Sequence, residues 1–78
     1  MKFSTLFSKD VFHAREKFGF TQAEVAEIVD ISLRSYQYIE QGRFVPHGGT
    51  LLKLIYLFDL DIDRYREVLK MPKNKYCL

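Results

Sequence analysis

Cysteine is almost missing from this chain. Cys77 is the only one in 78 residues, so no internal disulfide can staple the fold. The two histidines, His13 and His47, have no companions at ligand spacing, which argues against a metal staple. Long apolar runs are missing too. None approaches the ~18 residues of a membrane span, and the apolar stretch within MKFSTLFSKD is too short for a signal peptide. Glycine-rich phosphate loops, Ser/His/Asp sets and paired active-site carboxylates do not occur, and nothing around Cys77 marks a catalytic thiol. Asp59, Asp61 and Asp63 alternate like a calcium ladder, but the glycine and distant glutamate of a calcium loop do not follow. Asp61 reads instead as a helix N-cap. The expectation is a protein that is not an enzyme and holds no metal, cofactor or small-molecule ligand.

Charge of one sign is also scarce. Lys and Arg exceed Asp and Glu by 12 to 10, a net charge of +2, and the sequence pI is about 8.8. Residues 1–53 carry seven basic and six acidic side chains, 54–67 two and four, and 68–78 three basic ones. No basic stripe results, so charge alone does not point to nucleic acid. An acidic 54–67 stretch would face away from any phosphate. The lone cysteine suits a reducing cytosol, and a cytoplasmic location is expected.

What is present is apolar and aromatic, 47% and 15% of residues, which argues against disorder. The length predicts one domain over 1–78, with a core of about 8–69, an N-terminal arm 1–7 and a C-terminal tail 70–78. A core this small contributes only about 3–5 kcal/mol, so stability must come from close helix packing or from a partner chain.

Gly19, Gly42, Pro46, Gly48, Gly49 and Pro72 punctuate the chain. Between them the apolar spacing predicts five helices. The first starts at Ser8 as N-cap, with Asp10 near its positive end, and carries Val11, Ala14, Arg15 and Phe18 to a stop at Gly19. The second opens on the capping box Thr21-Gln22-Ala23-Glu24 and shows Val25, Ile28 and Val29, with small Ala26 beside them. After a three-residue turn, Asp30 to Ser32, the third runs Leu33 to Glu40, capped by Ser32 and closed by Gly42. At ~100° per residue, its Tyr36 and Ile39 share one face, and Arg34, Gln37, Tyr38 and Gln41 lie opposite. The fourth runs from about Thr50 to Phe58 on Leu51, Leu54, Ile55 and Phe58. The fifth runs from Asp61 to about Leu69 on Ile62, Tyr65 and Leu69.

Two short helices joined by a three-residue turn form a helix-turn-helix. Arg15, Gly19-Phe-Thr-Gln-Ala-Glu-Val-Ala, Ile39-Glu-Gln-Gly-Arg, Pro46, Leu51-Leu-Lys-Leu and Leu60-Asp-Ile-Asp then stand in an order that resembles the phage-repressor-like XRE family of DNA-binding regulators. The resemblance covers about Val11 to Val68. It implies a compact all-α domain whose third helix enters the major groove of double-stranded DNA. It implies base contacts from Ser32, Leu33, Arg34, Gln37 and Tyr38, and phosphate contacts from Gln22, Gln41, Gly42 and Arg43. It implies a structural ion pair between Arg15 and Glu40.

Three positions depart from the family pattern. Asp30 stands at the turn position that is usually glycine, which Asp tolerates in a left-handed conformation. Tyr36 replaces a smaller aliphatic residue, and its hydroxyl needs a partner or water. Leu33 replaces a polar residue at the first reading position.

One reading helix touches too few base pairs for useful specificity, so a homodimer on a palindromic operator is expected. Its surface is expected at Leu57, Leu60, Ile62 and Tyr65 with Val68, extended by Phe3, Leu6, Phe7, Tyr76 and Leu78. The alternative is a protein-interaction module on the same scaffold, antitoxin-like or a co-regulatory subunit. Salt separates the two, because only phosphate binding releases counterions.

Overall fold

Phe3, Phe7, Val11 and Ala14 recur at i, i+4, i+8 and i+11, and this stripe builds the longest element of the fold. In the computed structural model, which describes residues 2–72, α1 spans Phe3–Phe18. The helix therefore begins five residues before the expected cap. Phe7 and Val11 are buried, Phe3 stacks on Phe7 with ring centroids 5.4 Å apart, and both rings meet Tyr65. The aromatic contacts offset the ordering of the extra turns. Ser8 is buried within α1 and donates its hydroxyl back to the Thr5 carbonyl at 2.9 Å. Asp10, expected at the positive end of the dipole, lies mid-helix and serves a different purpose described below. Gly19 ends α1 in the left-handed conformation, φ 78°.

The next two helices follow the expected plan. α2 spans Gln22–Ile28, and both halves of the Thr21/Glu24 capping box are formed, at 3.1 and 2.8 Å. Val25, Ala26 and Val29 are its buried side; Ile28, expected with them, is exposed. Asp30 takes φ 61° in the turn, as a residue standing in for glycine must. α3 spans Leu33–Glu40, with the Ser32 hydroxyl accepting from the Ser35 amide at 3.0 Å. Tyr36 and Ile39 are its buried face.

α4 spans Gly48–Phe58, starting about two residues earlier than expected, and packs against α1 through Leu54 and Phe58 with Leu51 and Ile55 beside them. The expected fifth α-helix is instead a 3-10 turn, Ile62–Tyr65, continued by turns to Lys70. Asp61 caps it, accepting from the Asp63 amide at 3.1 Å. Only Tyr65 of the expected Ile62, Tyr65 and Leu69 face is buried. Its hydroxyl donates to Asp10 Oδ2 at 2.8 Å, and Arg64 Nε donates to the same oxygen at 3.0 Å. One carboxylate on α1 thus anchors two consecutive residues of the turn. Four α-helices and one 3-10 turn, with no strand, make up the described residues, so the fold class is all-α but the five-helix count is corrected. None of these helices is long and apolar enough to cross a membrane. Cys77, Tyr76 and Leu78 lie outside the described residues.

Candidate nucleic-acid interface

The site begins with a carboxylate. Glu40, at the C-terminal end of α3, has a side chain only 5% exposed. An ionised carboxylate in that position needs charge compensation and donors on both oxygens. It has both. Arg15 on α1 donates Nε to Oε2 at 2.5 Å and Nη2 to Oε1 at 3.1 Å, the forked geometry that suits guanidinium and carboxylate. The Tyr36 hydroxyl, one turn back on α3, donates to Oε2. Gln22 Nε2, at the start of α2, donates to Oε1 at 3.0 Å. A third Arg15 nitrogen, Nη1, donates to the Phe20 carbonyl at 3.0 Å, fixing the link between α1 and α2. One buried carboxylate thus joins all three helices.

The electrostatics follow from these contacts. Burial pushes the Glu40 carboxyl up, but hydrogen bonds from Arg15, Tyr36 and Gln22 more than offset it and hold it below its ordinary value. The bond to Glu40 raises Arg15 above its ordinary value. Burial, and then the bond to Glu40, pushes the Tyr36 hydroxyl up, so it remains a donor. The Tyr36 hydroxyl thereby has the partner it needs. The i, i+4 spacing of Tyr36 and Glu40 is the sequence signal for this contact.

Glu40 also sets the direction of two amides. A carboxylate only accepts, so Gln22 turns its NH2 group inward. Its Oε1 is then left to accept from Gln37 Nε2 at 3.3 Å. Gln22 and Gln37 are both partly buried, held side by side at the edge between the N-terminus of α2 and the outer face of α3.

On that outer face Leu33 and Arg34 are exposed, and Arg34 makes no hydrogen bond among the described residues. Ser32 is exposed, and its hydroxyl is engaged with Ser35 at 2.9 Å as well as with the cap. Tyr38 is partly buried, and the Arg43 guanidinium lies over its ring, 4.4 Å from the centroid. Arg43 Nη1 also reaches Gln41 Oε1 at 3.4 Å. Gly42 has φ 74°, and a Cβ there would sit 3.3 Å from Ser8 Oγ. The end of α3 therefore approaches α1 through two small residues.

Leu33, Arg34, Gln37 and Tyr38, of the expected reading residues, thus lie off the buried Tyr36 and Ile39 face of α3, Ser32 caps its N-terminus, and Gln22, Gln41, Gly42 and Arg43 gather at its C-terminal end. The residues expected at a dimer surface do not stay together. Tyr65 is buried in the monomer, Leu57 and Leu60 are packed against its core, as are Phe3, Leu6 and Val68, and Ile62 is 61% exposed. The stacking of Arg43 on Tyr38 and the use of Asp10 as an anchor were not legible from spacing, since each joins residues of different elements.

A family model described as helix-turn-helix matches residues 13–65, about two thirds of the chain, and spans α2, the turn and α3. No curated protein and no solved structure matches the chain significantly. Arg15, the capping box, the Asp30 turn and the Glu40-Gln41-Gly42 terminus all fall within the matched segment, and the chain belongs to the helix-turn-helix family of XRE-type DNA-binding transcriptional regulators.

Proposed function

We propose that the chain reads a specific sequence in double-stranded DNA by laying α3 in the major groove, and that it acts as a homodimer on a palindromic operator. The observation that supports this most is the pairing of a fixed end with a free face. Glu40 holds Gln22 at the entrance to α2, while Arg34 projects from the same side of the molecule with no hydrogen-bond partner among the described residues. Gln22 has two amide protons and spends one on Glu40. The other is available to a phosphate beside a helix N-terminus, where anions are favoured. Arg34 offers the fork that pairs with guanine O6 and N7. Leu33 offers an apolar contact to a thymine methyl, and Gln37 and Tyr38 add hydrogen-bonding groups. Arg43 and Gln41 supply the second backbone contact beyond Gly42.

Selection of bound duplexes from a random pool tests this reading. A two-fold symmetric motif with half-site centres about 34 Å apart, one turn of B-DNA, is the expected product. Enrichment of no motif, with binding insensitive to salt, would overturn it in favour of a protein-interaction module.

A further inference from the structure

α4 is apolar on more sides than its own fold covers. Lys53 is the only charged residue between Gly48 and Phe58. Leu54 and Phe58 point into the core, yet Leu52 is 54% exposed and Tyr56 82% exposed. A helix apolar all round is ordinarily a buried helix. Leu52, Lys53 and Tyr56 stand at i, i+1 and i+4, so they share the outer face. The exposed Asp59 follows directly at the C-cap, with half-buried Leu60 beside it.

The order of these residues is self-complementary about Tyr56. In an antiparallel two-fold packing, residue 56−n of one copy faces residue 56+n of the other, because a two-fold interface pairs i with j and j with i. Lys53 then faces Asp59, twice over, and each exposed Leu52 meets the C-terminal end of the partner's helix. Both opposite charges are met, and Leu52 and Tyr56 are covered, without any other partner. We propose that the outer face of α4 is the homodimer seam, with a second copy of this chain as its occupant and Tyr56 on the two-fold axis. None of the candidate DNA-facing side chains lies on this face. The inference rests on the reading of the chain as a dimeric regulator, and replaces the surface expected at Leu57, Leu60, Ile62 and Tyr65 with one centred on α4.

A residue on the axis meets its own copy, within the ~7 Å Cα separation that a disulfide can span. In a Cys77→Ser background, Tyr56→Cys should form a linked dimer under mild oxidation, and Leu69→Cys should not. Sedimentation provides the charge test. Lys53→Glu should weaken the dimer at least tenfold, and Lys53→Glu with Asp59→Lys should restore it. Circular dichroism on each variant confirms that the monomer fold is intact. If the parent chain is a dimer and Tyr56→Asp stays one, the seam lies elsewhere, so this proposal fails while the dimeric reading stands. If the parent chain is a monomer at every concentration and on DNA, both fail.

Discussion

Removing the Arg15 side chain is the sharpest perturbation of the scaffold. Glu40 would keep the Tyr36 and Gln22 donors but lose its counter-charge and two of its four hydrogen bonds. Breaking a buried pair commonly costs about 3–5 kcal/mol. The two surviving donors lower that, so Arg15→Ala is expected to cost about 2–4 kcal/mol. A domain whose core contributes about 3–5 kcal/mol is then close to its unfolding midpoint in water. Acid distinguishes this from a generic packing loss. In the parent chain the folded Glu40 is held below its ordinary value, so its contribution is present above the unfolded pKa and is lost as pH falls through the folded one. Without Arg15, burial is opposed only by the Tyr36 and Gln22 donors, and the folded carboxyl is expected to rise above its unfolded value. Its penalty is then present at neutral pH and relieved on acidification. Urea titrations followed by circular dichroism at pH 7 and pH 5 should show the deficit of Arg15→Ala shrinking at the lower pH. Arg15→Ala with Glu40→Gln should recover part of the loss, with a coupling above ~1 kcal/mol in the double-mutant cycle. A deficit independent of pH, together with strict additivity, would refute the argument.

Three further outcomes follow from the same contacts. Gly42→Ala is expected to cost about 1–2 kcal/mol, from the left-handed backbone and the tight approach to Ser8, while Gly19→Ala, with open space around it, costs only the backbone strain of about 1 kcal/mol; chemical denaturation of the two variants checks the order. Tyr65→Phe removes the hydroxyl from Asp10 and should cost about 1 kcal/mol in the same assay, with no change in DNA preference. Arg43→Ala should weaken binding to all duplexes alike and lower the salt slope by about one counterion contact, read by titration across a range of salt concentrations.

The helix-turn-helix was legible in the sequence because its boundaries are set by neighbours. Thr21 and Glu24 close their box within one turn, Ser32 caps α3 three residues away, and Asp30 and Gly42 mark left-handed positions. Where local signals compete with distant packing, the sequence misleads. Ser8 has the chemistry of an N-cap, but Phe3 and Phe7 gain Tyr65 by extending the helix past it. The 62–69 segment has helical spacing, but Asp10, more than fifty positions away, takes hold of both Arg64 and Tyr65. Arg15 and Glu40 were expected to pair from the resemblance. That their pair also fixes Gln22, and through it Gln37, depends on how three helices cross, which no local pattern encodes.

Arg34 is the most direct test of α3 as the reading element. Once an operator has been selected, affinities of the parent chain and Arg34→Ala are measured against it and against every single-base variant at fixed salt. The expected result is a loss of about 1–3 kcal/mol confined to one base pair per half-site, where Arg34→Ala no longer discriminates. An Arg34→Ala profile parallel to that of the parent at every position would contradict it.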